Sequence, residues 1–197
     1  MLVIISGPSG SGKGTIVKKL DRDDFALSIS MTTRQKRPGE IDGKDYFFTT
    51  KEHFITLREN GELLEHAEFV GNMYGTPKKY VEDQVASGKA VILEIDVIGA
   101  LQIKEKFMDS VLIFLMPPTF EELTKRLIGR QTEDLSTIER RIKRAKTEVL
   151  YIDKYDYFIV NEKLDKAVSS IISIIDSEYL KPHRNIELIE TFIKGDD

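Results

Sequence analysis

Glycines and a single lysine in the first turn of the chain have a spacing that suits phosphate binding. The frame is G-x-x-x-x-G-K, from Gly7 to Lys13, directly after an apolar stretch and directly before a helical pattern. Backbone N–H groups of such a loop converge on phosphate oxygens, and the following helix adds the positive end of its dipole. Lys13 is placed to reach the outer phosphates of a nucleotide. The residues of this predicted phosphate loop are Gly7, Pro8, Ser9, Gly10, Ser11, Gly12, Lys13, Gly14 and Thr15.

The residue after Lys13 departs from the strict phosphate-loop pattern. That pattern has Ser or Thr there for the metal, whereas this chain has Gly14 and then Thr15. Because Mg²⁺ readily keeps water ligands, we expect phosphates and water to hold the ion without a direct protein ligand. Thr15 is then expected to meet a phosphate oxygen or the water shell of the ion.

A second run, residues 30–46, carries groups that suit a phosphate monoester. Arg34 and Arg37 are three residues apart, and Tyr46 follows them. The planar guanidinium of arginine binds phosphate oxygens in pairs, and a tyrosine hydroxyl adds a neutral donor. The sequence therefore predicts a second anion site in this segment.

The same run resembles a known family. It reads S-x-T-T-R-x-x-R-x-G-E-x-x-G-x-D-Y and, with the phosphate loop before it, is similar to the guanylate kinases, which are nucleoside monophosphate kinases. The likeness extends over about residues 2–180. Further matching positions are Glu65, Gly71, Asn72, Met73, Tyr74, Gly75, Thr76, Glu94, Ile95, Asp96, Gly129, Arg130, Arg141 and Asn161.

The resemblance implies a site for the phosphate of GMP. The groups that would hold this phosphate are the arginine and tyrosine side chains Arg34, Arg37, Tyr46 and Tyr74.

The resemblance also implies a site for the guanine base. Guanine presents N1–H and an amino group side by side, and Glu65 would accept from both. Ser30 and Thr76 supply hydroxyls for the O6 side. Glu94 stands where aspartate is common in the family, so its contact stays open, and Asp96 would meet either the base or water around the metal.

The implied reaction is ATP + GMP ⇌ ADP + GDP with Mg²⁺, which belongs to purine nucleotide metabolism and GMP recycling, and dGMP would also be accepted. Phosphoryl transfer needs alignment and positive charge rather than a nucleophilic side chain, because a GMP oxygen attacks. The catalytic charges would come from Lys13, Arg34, Arg130 and Arg141. By resemblance Arg130 and Arg141 lie on a lid over ATP, and Arg130 and Asn161 lie near the adenine.

The pattern of elements predicts an α/β fold. Apolar runs at residues 2–6, 90–96, 111–116 and 157–160 alternate with helical patterns, the longest at residues 164–179. Such alternation is typical of a parallel sheet flanked by helices and joined by right-handed crossovers. The resemblance makes this a P-loop NTPase-type core.

We expect a single domain over residues 1–197. Its core would comprise residues 1–31, 89–127 and 145–180. An α+β insertion at residues 32–88 would bind GMP, and residues 128–144 would form a small lid. The C-terminal tail, residues 181–197, carries no functional signal.

Composition argues against several other classes of protein. A net charge of -4 argues against a general nucleic-acid-binding protein. The absence of cysteine excludes disulfides and a thiol nucleophile. No apolar run approaches the ~20 residues of a membrane span, and the first residues do not resemble a signal peptide. We expect a cytoplasmic protein whose partners are its small-molecule substrates, with its oligomeric state left open.

Two alternatives compete with the guanylate kinase interpretation. An adenylate-type kinase shares the sequence Gly12-Lys13-Gly14-Thr15, but the acidic base pocket around Glu65 opposes it. A non-catalytic scaffold that binds peptides is opposed by Lys13 and the lid arginines.

Overall fold

The computed structural model describes residues 1–69, 71–129 and 135–195. Within these residues the elements, in chain order, are β1 (Leu2–Ser6), α1 (Lys13–Val17), β2 (Phe25–Leu27), β3 (Met31–Thr32), β4 (Phe47–Phe48), α2 (Lys51–Glu59), β5 (Leu63–Phe69), β6 (Asn72–Pro77), α3 (Lys78–Ala86), β7 (Ala90–Glu94), α4 (Val97–Lys106), β8 (Val111–Met116), α5 (Phe120–Ile128), α6 (Leu135–Glu148), β9 (Tyr157–Val160), α7 (Leu164–Tyr179) and α8 (Ile186–Lys194). Two short 3₁₀ helices, Val149–Lys154 and Pro182–Arg184, complete the description.

The main sheet is parallel and has the strand order β2-β7-β1-β8-β9. Its central strand, β1, pairs with β7 on one side and β8 on the other, so that Val3 lies opposite Ile92 and Val111. All five residues of β1 are buried, as expected for a continuous apolar run in a parallel sheet with both faces covered. The predicted α/β fold is confirmed.

Helices cover both faces of this sheet because side chains alternate along β1. Val3 and Ile5 pack into a buried cluster with residues of α1 and α7. Leu2 and Ile4 pack on the opposite face with residues of α3 and α4. This packing fixes the carboxyl ends of β1 and β7 side by side, which is where ligands bind in open α/β sheets.

A second sheet has the strand order β4-β3-β6-β5. Its strands β5 and β6 are antiparallel, with Ala67 opposite Tyr74, and β3 joins β6. The aromatic pair after Tyr46 forms β4, and the segment after Gly61 forms β5. Glu65 on β5 and Tyr74 on β6, two of the residues predicted to bind GMP, belong to this sheet.

Helices α5 and α6 pack together beside the main sheet. Their contact is a small apolar cluster that includes Leu123, Leu127, Ile138 and Ala145. No helix within the described ranges is long and apolar enough to cross a membrane.

Candidate active site

The candidate site is a cleft with a cavity volume of about 200 Å³. The phosphate loop after β1, the end of β7, the second sheet and α6 all contribute to its wall. The predicted residues that line it are Gly7, Ser9, Gly10, Gly12, Lys13, Gly14, Ser30, Arg34, Arg37, Tyr46, Glu65, Tyr74, Glu94, Asp96 and Arg141. The predicted residues Pro8, Ser11, Thr15, Thr76 and Asn161 lie outside this wall, and Arg130 lies outside the described residues.

The phosphate loop is a compact turn between β1 and α1. The Ser11 amide donates to the Pro8 carbonyl at 3.1 Å, which closes the turn. Lys13 Nζ lies over the loop and donates to the carbonyls of Gly7 at 2.7 Å and Pro8 at 3.2 Å. The lysine therefore lies where phosphate oxygens on the loop would meet it.

Asn161 braces this loop from a distant part of the chain. Its side-chain amide donates to the Ser11 carbonyl at 2.9 Å, and the side chain is buried. Gly12, with a φ of 96°, lies so close that a Cβ there would collide with the Asn161 amide. This amide therefore faces the loop. A contact between Asn161 and adenine stays a prediction.

Glu94, at the end of β7, lies against the phosphate loop. A Cβ on Gly14 would lie 3.3 Å from Glu94 Oε2, so the missing side chain at Gly14 leaves room for this carboxylate. Burial raises the pKa of Tyr46 to about 12, and the charge of Glu94 contributes to the rise. Glu94 therefore lies between the phosphate loop and the tyrosine of the second site.

The cleft contains oxygen ligands that suit a hydrated Mg²⁺ ion. No group of three or more His, Cys, Asp or Glu side chains within the described ranges could hold a metal ion. Thr15 is exposed and outside the cleft wall. The cleft does carry the carboxylates of Glu94 and Asp96, which suit the water shell of a hard cation.

Arg34 lies in a half-buried cluster of aromatic and acidic groups. Its guanidinium pairs with Glu40 at 2.7 Å and lies 5.4 Å from the ring centre of Tyr46. The rings of Tyr46 and Tyr74 meet edge to face at 6.2 Å. Arg37 lines the same cleft. The structure therefore brings together all four residues predicted to hold the GMP phosphate.

Glu65 is the buried carboxylate of the cleft. Only 3% of the residue is exposed, and Oε1 accepts a hydrogen bond from Thr76 Oγ1 at 2.7 Å. Burial raises the pKa of Glu65 to about 7, the Thr76 bond opposes this rise, and the charge of Asp96 adds to it. A ligand that donates two hydrogen bonds would stabilise the ionised form.

Asp96 begins α4 and faces α6. Its Oδ1 accepts from the Gly99 amide at 2.8 Å, which caps the helix. Its Oδ2 accepts from Arg144 Nη2 at 2.5 Å, and Arg144 Nε donates to Glu148 at 2.7 Å.

Sequence reasoning missed Arg144 and Glu148, although both line the cleft. The signal was the helical spacing of Arg141, Arg144 and Glu148, which places the three on one face of α6. Arg141 donates to Ser9 Oγ at 2.8 Å, so this face also meets the phosphate loop.

Fold and cleft together define the class of protein. A parallel α/β core with a phosphate loop after its first strand, and a second anion site facing that loop, is the architecture of a P-loop phosphotransferase. A family model described as "Guanylate kinase" matches residues 1–178. The chain therefore belongs to the guanylate kinase family, as the sequence resemblance predicted, and it is a kinase.

Named relatives agree with this assignment. A guanylate kinase from Oceanobacillus iheyensis is 51% identical over 186 residues, covering 93% of this chain and 90% of the relative. One from Lactococcus lactis subsp. lactis is 48% identical over 189 residues, covering 95% and 92%. The crystal structure of guanylate kinase from Anaplasma phagocytophilum aligns with a TM-score of 0.79 at 38% identity, covering 93% of this chain and 88% of that one.

Proposed function

We propose that the protein transfers the γ-phosphoryl group of ATP to GMP, giving ADP and GDP, and that it accepts dGMP as well. The observation that carries this proposal is the arrangement of Glu65 and the Arg34–Tyr46–Tyr74 cluster in the same cleft as the phosphate loop. One cleft thus holds a carboxylate for a base, cations for a monophosphate and a loop for a triphosphate. The proposed setting is the cytoplasm and purine nucleotide metabolism.

Base recognition rests on Glu65. Guanine N1–H and its amino group are neighbouring donors, and a carboxylate accepts both in one plane. Because Glu65 is buried, these charge-assisted bonds form away from competing water. Adenine offers no N1–H there and would leave the buried carboxylate with the Thr76 hydroxyl but without a donor from the base, which costs free energy. Ser30 lines the cleft and is the proposed hydroxyl partner on the O6 side. The sequence prediction also placed Thr76 there, but its hydroxyl proton is donated to Glu65 and the residue does not line the cleft.

Phosphate recognition rests on Arg34 and Arg37, with the hydroxyls of Tyr46 and Tyr74. Arg34 is held in place by Glu40 and by the ring of Tyr46 before any ligand arrives. Because the guanidinium is already oriented, less conformational entropy is lost when a phosphate binds.

The transfer itself forms a bond between a GMP phosphate oxygen and the γ-phosphorus of ATP and breaks the bond from that phosphorus to the β–γ bridging oxygen. ADP leaves with the bonding electrons. Lys13, Arg34 and Arg141 line the cleft and supply positive charge for the transition state. Arg130 is proposed as a further lid cation.

Mg²⁺ accompanies ATP in this proposal and supplies charge neutralisation on the β- and γ-phosphates. Thr15 would meet only its water shell. Asp96, whose carboxylate borders the same glycine as that of Glu65, is proposed to lie on the side of the cleft that holds the base. Glu94 is proposed to line the same region, because its carboxylate lies beside Gly14.

The proposal also assigns regions of the chain. Residues 32–88 would form the GMP-binding insertion, which holds most of the second sheet. Residues 128–144 would form the lid, of which the described part of α6 contacts the phosphate loop through Arg141. Residues 1–31, 89–127 and 145–180 would form the core, and residues 181–197 the tail.

The proposal is tested by mixing the purified protein with Mg-ATP and GMP and separating the nucleotides by ion-exchange chromatography. We expect ADP and GDP in equal amounts, formed about 10²–10³ times more slowly by Lys13→Ala. GMP binding without ADP formation would instead support the scaffold alternative, and phosphorylation of AMP in place of GMP would support the adenylate-type kinase.

A further inference from the structure

Arg144 connects α6 to the floor of the cleft. Its Nη2 donates to Asp96 Oδ2 at 2.5 Å and its Nε to Glu148 Oε1 at 2.7 Å. The exposed side-chain fractions are 26% for Arg144, 29% for Asp96 and 10% for Glu148. These ion pairs are therefore shielded from water more than an ordinary surface pair, and the geometry is specific.

Asp96 is next to the carboxylate proposed to bind guanine. A Cβ on Gly99 would lie 2.5 Å from Glu65 Oε2 and 3.4 Å from Asp96 Oδ1, so both carboxylates border the same glycine. Two like charges this close repel each other and also repel the phosphate of an incoming nucleotide. A cation on Asp96 offsets both effects.

The polar partners of the two carboxylates come from different elements. Glu65, on β5, meets Thr76 from β6 and the charge of Lys106 from α4. Asp96 is held by the Gly99 amide on one oxygen and by Arg144 on the other. Arg144 thus links α6 to Asp96, and so to the part of the cleft that contains Glu65.

We propose that Arg144 is a positioning residue for GMP. It fixes the Asp96 side chain through Oδ2 and offsets its charge beside Glu65. This inference rests on the proposed function, because it assumes that GMP occupies the pocket of Glu65. It differs from the role of Arg141, which meets the phosphate loop and is proposed to act on the transferred group.

The test compares Arg144→Gln and Arg144→Lys with Lys143→Gln, an exposed neighbour on the same helix that serves as the control. We expect Arg144→Gln to raise KM for GMP by about tenfold, with kcat and KM for ATP within about twofold of wild type. Arg144→Lys keeps a cation near Asp96 and should recover part of the loss. Lys143→Gln should match wild type. Calorimetric titration with GMP alone should show the same ranking in Kd.

A double-mutant cycle with Asp96→Asn identifies the partner through which Arg144 acts. If Arg144 acts through Asp96, then Arg144→Gln in the Asp96→Asn background should change KM for GMP by less than about twofold. A full tenfold change in that background would contradict the proposal. So would an Arg144→Gln variant that has the KM of the control, whatever its apparent kcat.

Partial unfolding does not obscure this test, because inactive protein lowers the apparent kcat but leaves KM unchanged. The proposed function is tested separately by the wild type. No turnover of GMP by the wild type would refute the function, whereas normal turnover with an unaffected Arg144→Gln would refute only the role of Arg144.

Discussion

The Thr76 hydroxyl donates a 2.7 Å hydrogen bond to Glu65 Oε1, and both residues are buried. A buried carboxylate has little water around it, so this bond replaces part of the solvation that the charge would otherwise have. Thr76 does not line the cleft, so its hydroxyl contributes to the site by supporting Glu65.

The first prediction concerns this bond. We expect Thr76→Val to lower kcat/KM for GMP by about tenfold, because the ionised Glu65 loses a donor. Thr76→Ser keeps the hydroxyl and should retain most of the efficiency. Steady-state kinetics with GMP as the varied substrate make the comparison, and equal efficiencies in the two variants would show that the hydroxyl is unimportant.

The second prediction concerns stability and pH. Burial raises the pKa of Glu65 from 4.5 to about 7, so the folded protein holds this proton at pH values where the unfolded chain has lost it. The stability from the protonated group is therefore fully present below about pH 4.5 and is lost as the pH rises through about 7.

Glu65→Gln removes this titration. The unfolding free energy of wild type minus that of Glu65→Gln should fall by up to about 3 kcal/mol between pH 4.5 and pH 8. Urea unfolding of the two proteins without nucleotide, at several pH values, measures the difference. A difference that does not vary with pH would mean that folding leaves the pKa of Glu65 unchanged, which would contradict the prediction.

The third prediction concerns Lys13. We expect Lys13→Ala to lower kcat by about 10²–10³ with an unchanged far-UV circular dichroism spectrum, because its ammonium serves the phosphates rather than the core. Lys19→Ala is the control, because Lys19 lies just after the end of α1 and its ammonium pairs with the exposed Asp165 at 2.9 Å. Wild-type turnover in Lys13→Ala would refute the phosphate-loop assignment.

The fourth prediction concerns Arg141. We expect Arg141→Ala to lower kcat by about 10³, or less where Arg130 shares the charge, and to leave KM for GMP nearly unchanged. Arg140→Ala is the control, because Arg140 is exposed and bonds only locally to Thr137 Oγ1 at 3.0 Å among its described contacts. A change confined to KM for GMP would place Arg141 in the acceptor site instead.

Features encoded by short stretches of sequence were predicted well. The strands β1, β8 and β9 have the predicted bounds because each is a continuous apolar run. The phosphate loop and the segment around Arg34 were recognisable because their backbone and side-chain requirements fall within a few neighbouring residues.

Features that depend on distant parts of the chain were not predictable. The three-residue strand β2 and the two-residue strand β3 exist through pairing with β7 and β6, and so short a stretch has no periodicity of its own. The bond from Asn161 to Ser11 joins residues 150 positions apart. The bond from Arg144 to Asp96 likewise depends on how α6 is oriented relative to the end of β7, which the local sequence does not determine.

The central claim is that Glu65 selects guanine, and its most direct test is kcat/KM for GMP and AMP in wild type and Glu65→Gln, with ATP affinity measured alongside. Wild type should prefer GMP by about 10⁴-fold or more, because adenine gives the buried carboxylate no donor. Glu65→Gln keeps the shape but replaces one acceptor with a donor, so its efficiency with GMP should fall by about two to four kcal/mol in activation free energy while ATP affinity stays the same. Wild-type efficiency with GMP in Glu65→Gln would contradict the account and would assign base recognition to another residue of the cleft.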